Sequence, residues 1–89
     1  MTEQDIKGLG FNIQQETVES SGADKDWYYY TMDIGDICLI TNENEIAVKY
    51  GWEVSIFDFP SFVIKGLSDL ECLIKIIRNN SKPNKIVKT

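Results

Sequence analysis

The chain of 89 residues contains no histidine. That absence removes Ser-His-Asp and Cys-His nucleophilic chemistry, and histidine-ligated metal sites with them. Its two cysteines, Cys38 and Cys72, are too few for an ordinary structural zinc site without histidine. No glycine-rich phosphate cradle or P-loop occurs. No apolar run approaches the ~20 residues needed to span a bilayer. The first residues, Met1 to Asp5, are acidic and polar, unlike a secretory leader, so a cytosolic protein is expected. In that compartment the two cysteines read as reduced thiols. Both fall in apolar patterns, one strand-like and one helical, so both are expected to be buried.

Acid is also missing from the end of the chain. All fourteen acidic residues lie at or before Glu71. Residues 1–72 carry fourteen acids and four lysines, net −10; residues 73–89 carry Lys75, Arg78, Lys82, Lys85 and Lys88, net +5. The overall −5 therefore hides an acidic body with a basic end. A field of one sign attracts surfaces of the other and repels its own. Phosphate backbones are disfavoured as partners on that ground, so no direct nucleic-acid binding is expected.

What is present is a foldable chain. A hydrophobic fraction of 43% with 11% aromatics belongs to globular proteins. One domain is expected over 1–81, with a basic flexible tail over 82–89. Thr2 to Leu9 can form a short helix, with Thr2 as N-cap, Asp5 three residues on, and Gly8 and Gly10 stopping it. Phe11 to Val18 alternates and suits an edge strand. Ser20 to Asp26 is a loop by composition.

Trp27 to Thr41 is the clearest segment. Trp27–Ile34 and Ile37–Thr41 are rich in strand formers, and Gly35-Asp36 between them fits a type II′ turn. That turn pairs Ile34 with Ile37, Met32 with Leu39, and Tyr30 with Thr41. Tyr28, Tyr30, Met32, Ile34, Ile37 and Leu39 then share one face. Trp27, Tyr29, Thr31, Asp33, Cys38, Ile40 and Asn42 take the other, and a one-residue slip would exchange the two sets. Asn42 to Glu45 reads as a loop, and Ile46-Ala47-Val48 as either a short strand or a helical turn. Trp52 to Phe57 is a further strand, with Glu53, Ser55 and Phe57 facing away from Trp52, Val54 and Ile56. Pro60 ends that strand or marks an edge, and Phe62-Val63-Ile64 suits a fourth strand.

Ser68-Asp69-Leu70-Glu71 reads as a capping box opening a helix. Leu70, Leu73, Ile74 and Ile77 follow as one apolar stripe. Lys75 and Arg78 fall toward its end, as the helix dipole prefers. The expected fold is α+β: an antiparallel meander of three to five strands with a C-terminal amphipathic helix packed on one face.

The residues that could carry chemistry are carboxylates. Asp24, Asp26, Asp33, Asp36, Glu43, Glu45, Glu53 and Asp58 surround the strands and loops, but no spacing favours a catalytic pair. They read as solvating residues of an acidic protein. Asn42 to Glu45 also lacks the central glycine and spaced ligands of an EF-hand loop. No enzyme, cofactor or metal is expected, and a carboxylate-based enzyme is the lesser alternative. One helix covers one sheet face. The other face would present Trp27, Tyr29, Thr31, Ile40 and Phe57 among Asp33 and Glu53, an aromatic patch rimmed by acid and suited to a protein with a basic surface. The competing reading covers that patch with the N-terminal segment or with residues 42–50. A homodimer joined through the same face is the structural alternative to a monomeric binder.

The run from Trp27 to Asn42, followed by Gly51-Trp52-Glu53-Val54-Ser55-Ile56-Phe57, resembles small uncharacterised proteins of AT-rich bacteria and their phages. In those a tyrosine-rich hairpin, a Gly-Trp strand and a closing amphipathic helix recur, and the resemblance spans most of residues 5–80. Twelve isoleucines, and eight lysines against one arginine, agree with an AT-rich coding genome. The resemblance implies a phage or mobile-element accessory protein, a class that includes inhibitors of host defence machinery. It carries over no catalytic residues.

The tail is expected to be dispensable for folding. Removing residues 82–89 should leave the melting temperature nearly unchanged in a thermal scan. A fall of many degrees would show instead that the tail docks on the acidic body.

Overall fold

A computed structural model describes residues 1–16 and 27–80. The loop expected at Ser20–Asp26, the far end of the first strand at Val18, and the tail from Lys82 lie outside them. The element order is α1 (Glu3–Gly8), β1 (Asn12–Glu16), β2 (Trp27–Ile34), β3 (Ile37–Thr41), α2 (Asn44–Tyr50), β4 (Val54–Ile56), β5 (Phe59–Ile64) and α3 (Leu67–Asn80). The five strands form one antiparallel sheet in chain order, a meander with β1 and β5 as its edges. The fold is α+β.

The β2–β3 hairpin has the expected register, Ile34 opposite Ile37 and Met32 opposite Leu39. Gly35 has φ 59°, and among the described residues no non-glycine residue has positive φ. Asp36 therefore excludes a type I′ turn, which needs positive φ at both central positions, and the type II′ assignment fits. At Tyr30 and Thr41 a side chain takes part in the pairing: the Tyr30 N–H donates to Thr41 Oγ1 at 2.9 Å.

All the described helices pack on the face that carries Tyr30, Met32, Ile34 and Leu39. Ile6 of α1, Ala47 of α2 and Leu70, Ile74 and Ile77 of α3 join those residues, Trp52, Val54 and Ile64 in one buried cluster. Leu39 and Leu70 are fully buried. The apolar stripe of α3 meets the sheet as expected, except that Leu73 is only half-buried at its margin.

Helix α1 opens as the sequence indicates. The Asp5 N–H donates to Thr2 Oγ1 and the Thr2 N–H to Asp5 Oδ2. That bond from the Thr2 backbone is the main reason the Asp5 carboxyl sits below its usual range. Glu3, in the first turn, reaches the sheet. Its carboxylate accepts from the Tyr30 hydroxyl at 2.6 Å and the Tyr28 hydroxyl at 3.3 Å. Both rings also meet Trp52, Tyr30 edge-on with centroids 5.5 Å apart and Tyr28 tilted at 6.3 Å. The cluster buries aromatic area and gives each hydroxyl an acceptor, as buried tyrosines require.

Several expectations are corrected. The helix α3 begins at Leu67, with the Gly66 carbonyl accepting from the Leu70 N–H. Ser68 therefore sits inside the first turn, where its side chain cannot act as N-cap, and the Ser68–Glu71 capping box does not form. Residues 44–50, open between loop, strand and helical turn, are helix α2. The Asn44 side chain accepts from the Tyr28 N–H at 2.8 Å and ties the helix to β2. Asn42 closes the excursion: its side chain donates to the Gly51 carbonyl and accepts from the Glu53 N–H, while its own N–H donates to the Glu53 carbonyl. The ladder of β4 covers only Val54–Ile56, and Phe57-Asp58 form the turn into β5. Pro60 lies inside β5 where the register jumps, Ser55 pairing with Val63 but Ile56 with Phe59. An edge strand with an irregularity is where proline is tolerated. Both thiols are free, but Cys38 is half-buried and Cys72 exposed. Cys72 lies two residues from Leu70 and from Ile74, hence on the opposite side of the helix.

Leu70→Ala should cost ~2–5 kcal/mol, and Leu73→Ala clearly less, by urea denaturation. Equal losses would contradict the orientation of α3. The tyrosine cluster gives a pH prediction. Burial first, then the bond to Glu3 and its charge, push Tyr28 and Tyr30 above the usual tyrosine range. The folded state then keeps protons that the unfolded state releases near pH ~10, so stability is full below that pH and falls as pH rises further. Tyr30→Phe should flatten the alkaline decline. An unchanged slope would show that Tyr30 does not carry it.

Candidate functional site

Alternation along the strands builds the opposite face. Paired residues on neighbouring strands place Asn12, Thr31, Ile40, Ser55 and Val63 in one row across all five strands. Beside that row Gln14 lies opposite Tyr29, and Glu16 opposite Trp27. On its other side Asp33 faces Cys38. None of these residues belongs to the buried core or to the partly buried residues packed against it. Among the described residues, no helix crosses this face.

The seven candidates from the sequence separate into two groups. Trp27 and Tyr29 stack, with centroids 5.5 Å apart and planes 28° from parallel. Ile40 joins them, and the three line an open pocket of about 270 Å³ together with Thr41 and Glu43. Thr31 lies beside them opposite Ile40 and accepts a hydrogen bond from the Gln14 side chain at 3.1 Å. Asp33, Glu53 and Phe57 stand apart from the pocket. Asp33 is exposed next to Cys38. Glu53 precedes β4 and meets Lys65 at 3.8 Å, so it is not an unpaired rim carboxylate. Phe57 is 61% exposed in the β4–β5 turn, its N–H donating to the Cys38 carbonyl at 2.8 Å. It marks a margin of the face, not its centre.

Cys38 is the nucleophilic side chain of this face, and its surroundings quiet it. Burial, and then a hydrogen bond to Asp33 and the charges of Asp33 and Asp58, push its thiol above the usual range. A reactive cysteine needs the reverse, a positive neighbourhood that favours thiolate. Among the described residues no group of three or more cysteines and carboxylates could hold a metal ion. No helix among them is long and apolar enough to cross a membrane.

Glu43 is the residue of the pocket that the sequence assigns to a solvating loop. It occupies the N-cap position of α2, yet its side chain makes no capping bond there. The sequence signal was weak: an N-cap is ordinarily Ser, Thr, Asp or Asn, so a glutamate before Asn44 did not mark a helix start. Compared with known protein families, with curated proteins and with solved structures, the chain matches none.

Proposed function

We propose that the protein is a non-enzymatic binding module that docks, through the outer sheet face, on a basic surface of a larger protein. One observation carries the reading: the described helices all pack on one side of the sheet, and a stacked tryptophan–tyrosine pair is left on the other. Aromatic side chains at a surface are the common anchors of protein interfaces. The acidic body selects the sign of the partner and speeds encounter, while desolvated aromatics supply most of the affinity. The quieted thiol and the scattered carboxylates support a binding role over a catalytic one. Together with the resemblance to phage and bacterial accessory proteins, the reading extends to an inhibitor of a host defence or nucleic-acid-binding protein, acting in the cytoplasm.

Self-association is the second reading. The β5 edge exposes Phe59, Phe62 and Val63, and an uncovered apolar edge strand is a template for pairing with another copy. Solution mass separates the two: a monomer supports the binder, a stable dimer the homo-oligomer.

Affinity capture from the native host, read by mass spectrometry, supplies the partner. Tyr29→Ala should then weaken binding by about thirtyfold or more, as truncation of a central aromatic anchor does. Asp33→Asn should mainly slow association and reduce its salt dependence. Both are measured by binding kinetics at two salt concentrations. Unchanged affinity in both variants, or binding indifferent to salt, would remove this face as the site.

A further inference from the structure

We infer that the pocket formed by Trp27, Tyr29, Ile40 and Glu43 receives the guanidinium of an arginine side chain presented by the partner; this rests on the docking role proposed for the outer face. The pocket, at about 270 Å³, suits one side-chain end and falls below the usual size of a drug-like ligand site. Its walls decide the sign and shape of the occupant. An anion would meet the Glu43 carboxylate within an already negative body. An apolar group would strip water from that carboxylate and leave it unpaired, which is costly. A cation satisfies both the carboxylate and the aromatic faces.

Glu43 is available for this. It makes no capping bond, and among the described residues it has no ion pair. Thr41, the remaining wall, offers no competing polar group, because its hydroxyl accepts from Tyr30 and donates to the Asn42 carbonyl.

The ring geometry then chooses among cations. Trp27 and Tyr29 stack on one another, 28° from parallel with centroids 5.5 Å apart. No space is left between them for a rounded ammonium, and they do not form the several-sided box that encloses a quaternary one. A flat guanidinium can lie on a ring face and still fork two N–H donors to a carboxylate, which a lysine cannot do.

The test uses the full-length protein, labelled with nitrogen-15, and two capped tripeptides at millimolar concentration, Gly-Arg-Gly and Gly-Lys-Gly. The arginine peptide should shift the Trp27 indole signal and the amides of Tyr29, Ile40 and Glu43, leaving the buried Trp52 indole still. It should bind about threefold or more tightly than the lysine peptide. Glu43→Gln and Trp27→Leu should each weaken it by at least about threefold, while Glu71→Gln, on an exposed site of α3, should not. Unchanged dispersion of the remaining signals shows that each variant is folded. If both peptides shift the outer face equally, and equally in Glu43→Gln, the face attracts cations without an arginine pocket. The inference is then overturned and the docking role stands. If neither peptide shifts this face, the pocket is likewise refuted, and the docking role rests on the kinetics with the captured partner.

Discussion

The parity of one hairpin governs this molecule. A type II′ turn at Gly35-Asp36 sets Ile34 opposite Ile37, and every side chain of β2 and β3 takes its face from that pairing. Tyr28 and Tyr30 go inward, Trp27 and Tyr29 outward. Moving the pairing by one residue would set Met32 and Leu39 on opposite faces: either Asp33 turns inward and Met32 to water, or Leu39 turns to water. Four consecutive aromatics, Trp27 to Tyr30, would otherwise fit either face. The aliphatic residues after them, and the glycine with positive φ at the turn, decide the matter.

With parity fixed, the two faces pose different problems. The inner one must accept tyrosine hydroxyls within an apolar layer. Glu3 does so from outside the sheet, accepting from both rings, and in the same act holds α1 in place. The N-terminal helix is therefore attached by polar bonds as well as by Ile6. The outer face has no such demand. Among its polar groups, Gln14 donates to Thr31, and Lys65 meets Glu53. What it retains is aromatic and aliphatic surface beside acid.

Much of the fold was legible in the sequence because its signals were local and repeated. The alternation in β2 and β3, the i, i+3, i+4, i+7 stripe of α3, and the Thr2–Asp5 box each involve near neighbours. The sequence misled or stayed open where a local pattern had a competitor. Ser68-x-x-Glu71 has the form of a capping box, but the Gly66 carbonyl had already started the helix. Ile46-Ala47-Val48 reads equally as a short strand or a helical turn. The side chain of Asn44, bonded to Tyr28 sixteen residues away, helps hold it as helix. The candidate site was half visible. Trp27, Tyr29 and Ile40 follow from parity alone. Glu43 joins them only because the chain turns out of β3 at Asn42, a geometry that no spacing in the sequence displays.

Helix α2 is hung on that turn. It contributes Ala47 to the core, while Val48 and Tyr50 are 84% and 74% exposed, and the side chain of Asn42 ties its two ends together. An element with so little buried area opens at a small fraction of the free energy of global unfolding. The ladder between β3 and β4 does not depend on it, since Thr41 pairs with Val54 directly. Of the pocket's walls, four belong to β2 and β3 and the acidic one to the turn that leads into α2, so the position of the charge beside the aromatic pair depends on how firmly Asn42 and Asn44 hold that turn.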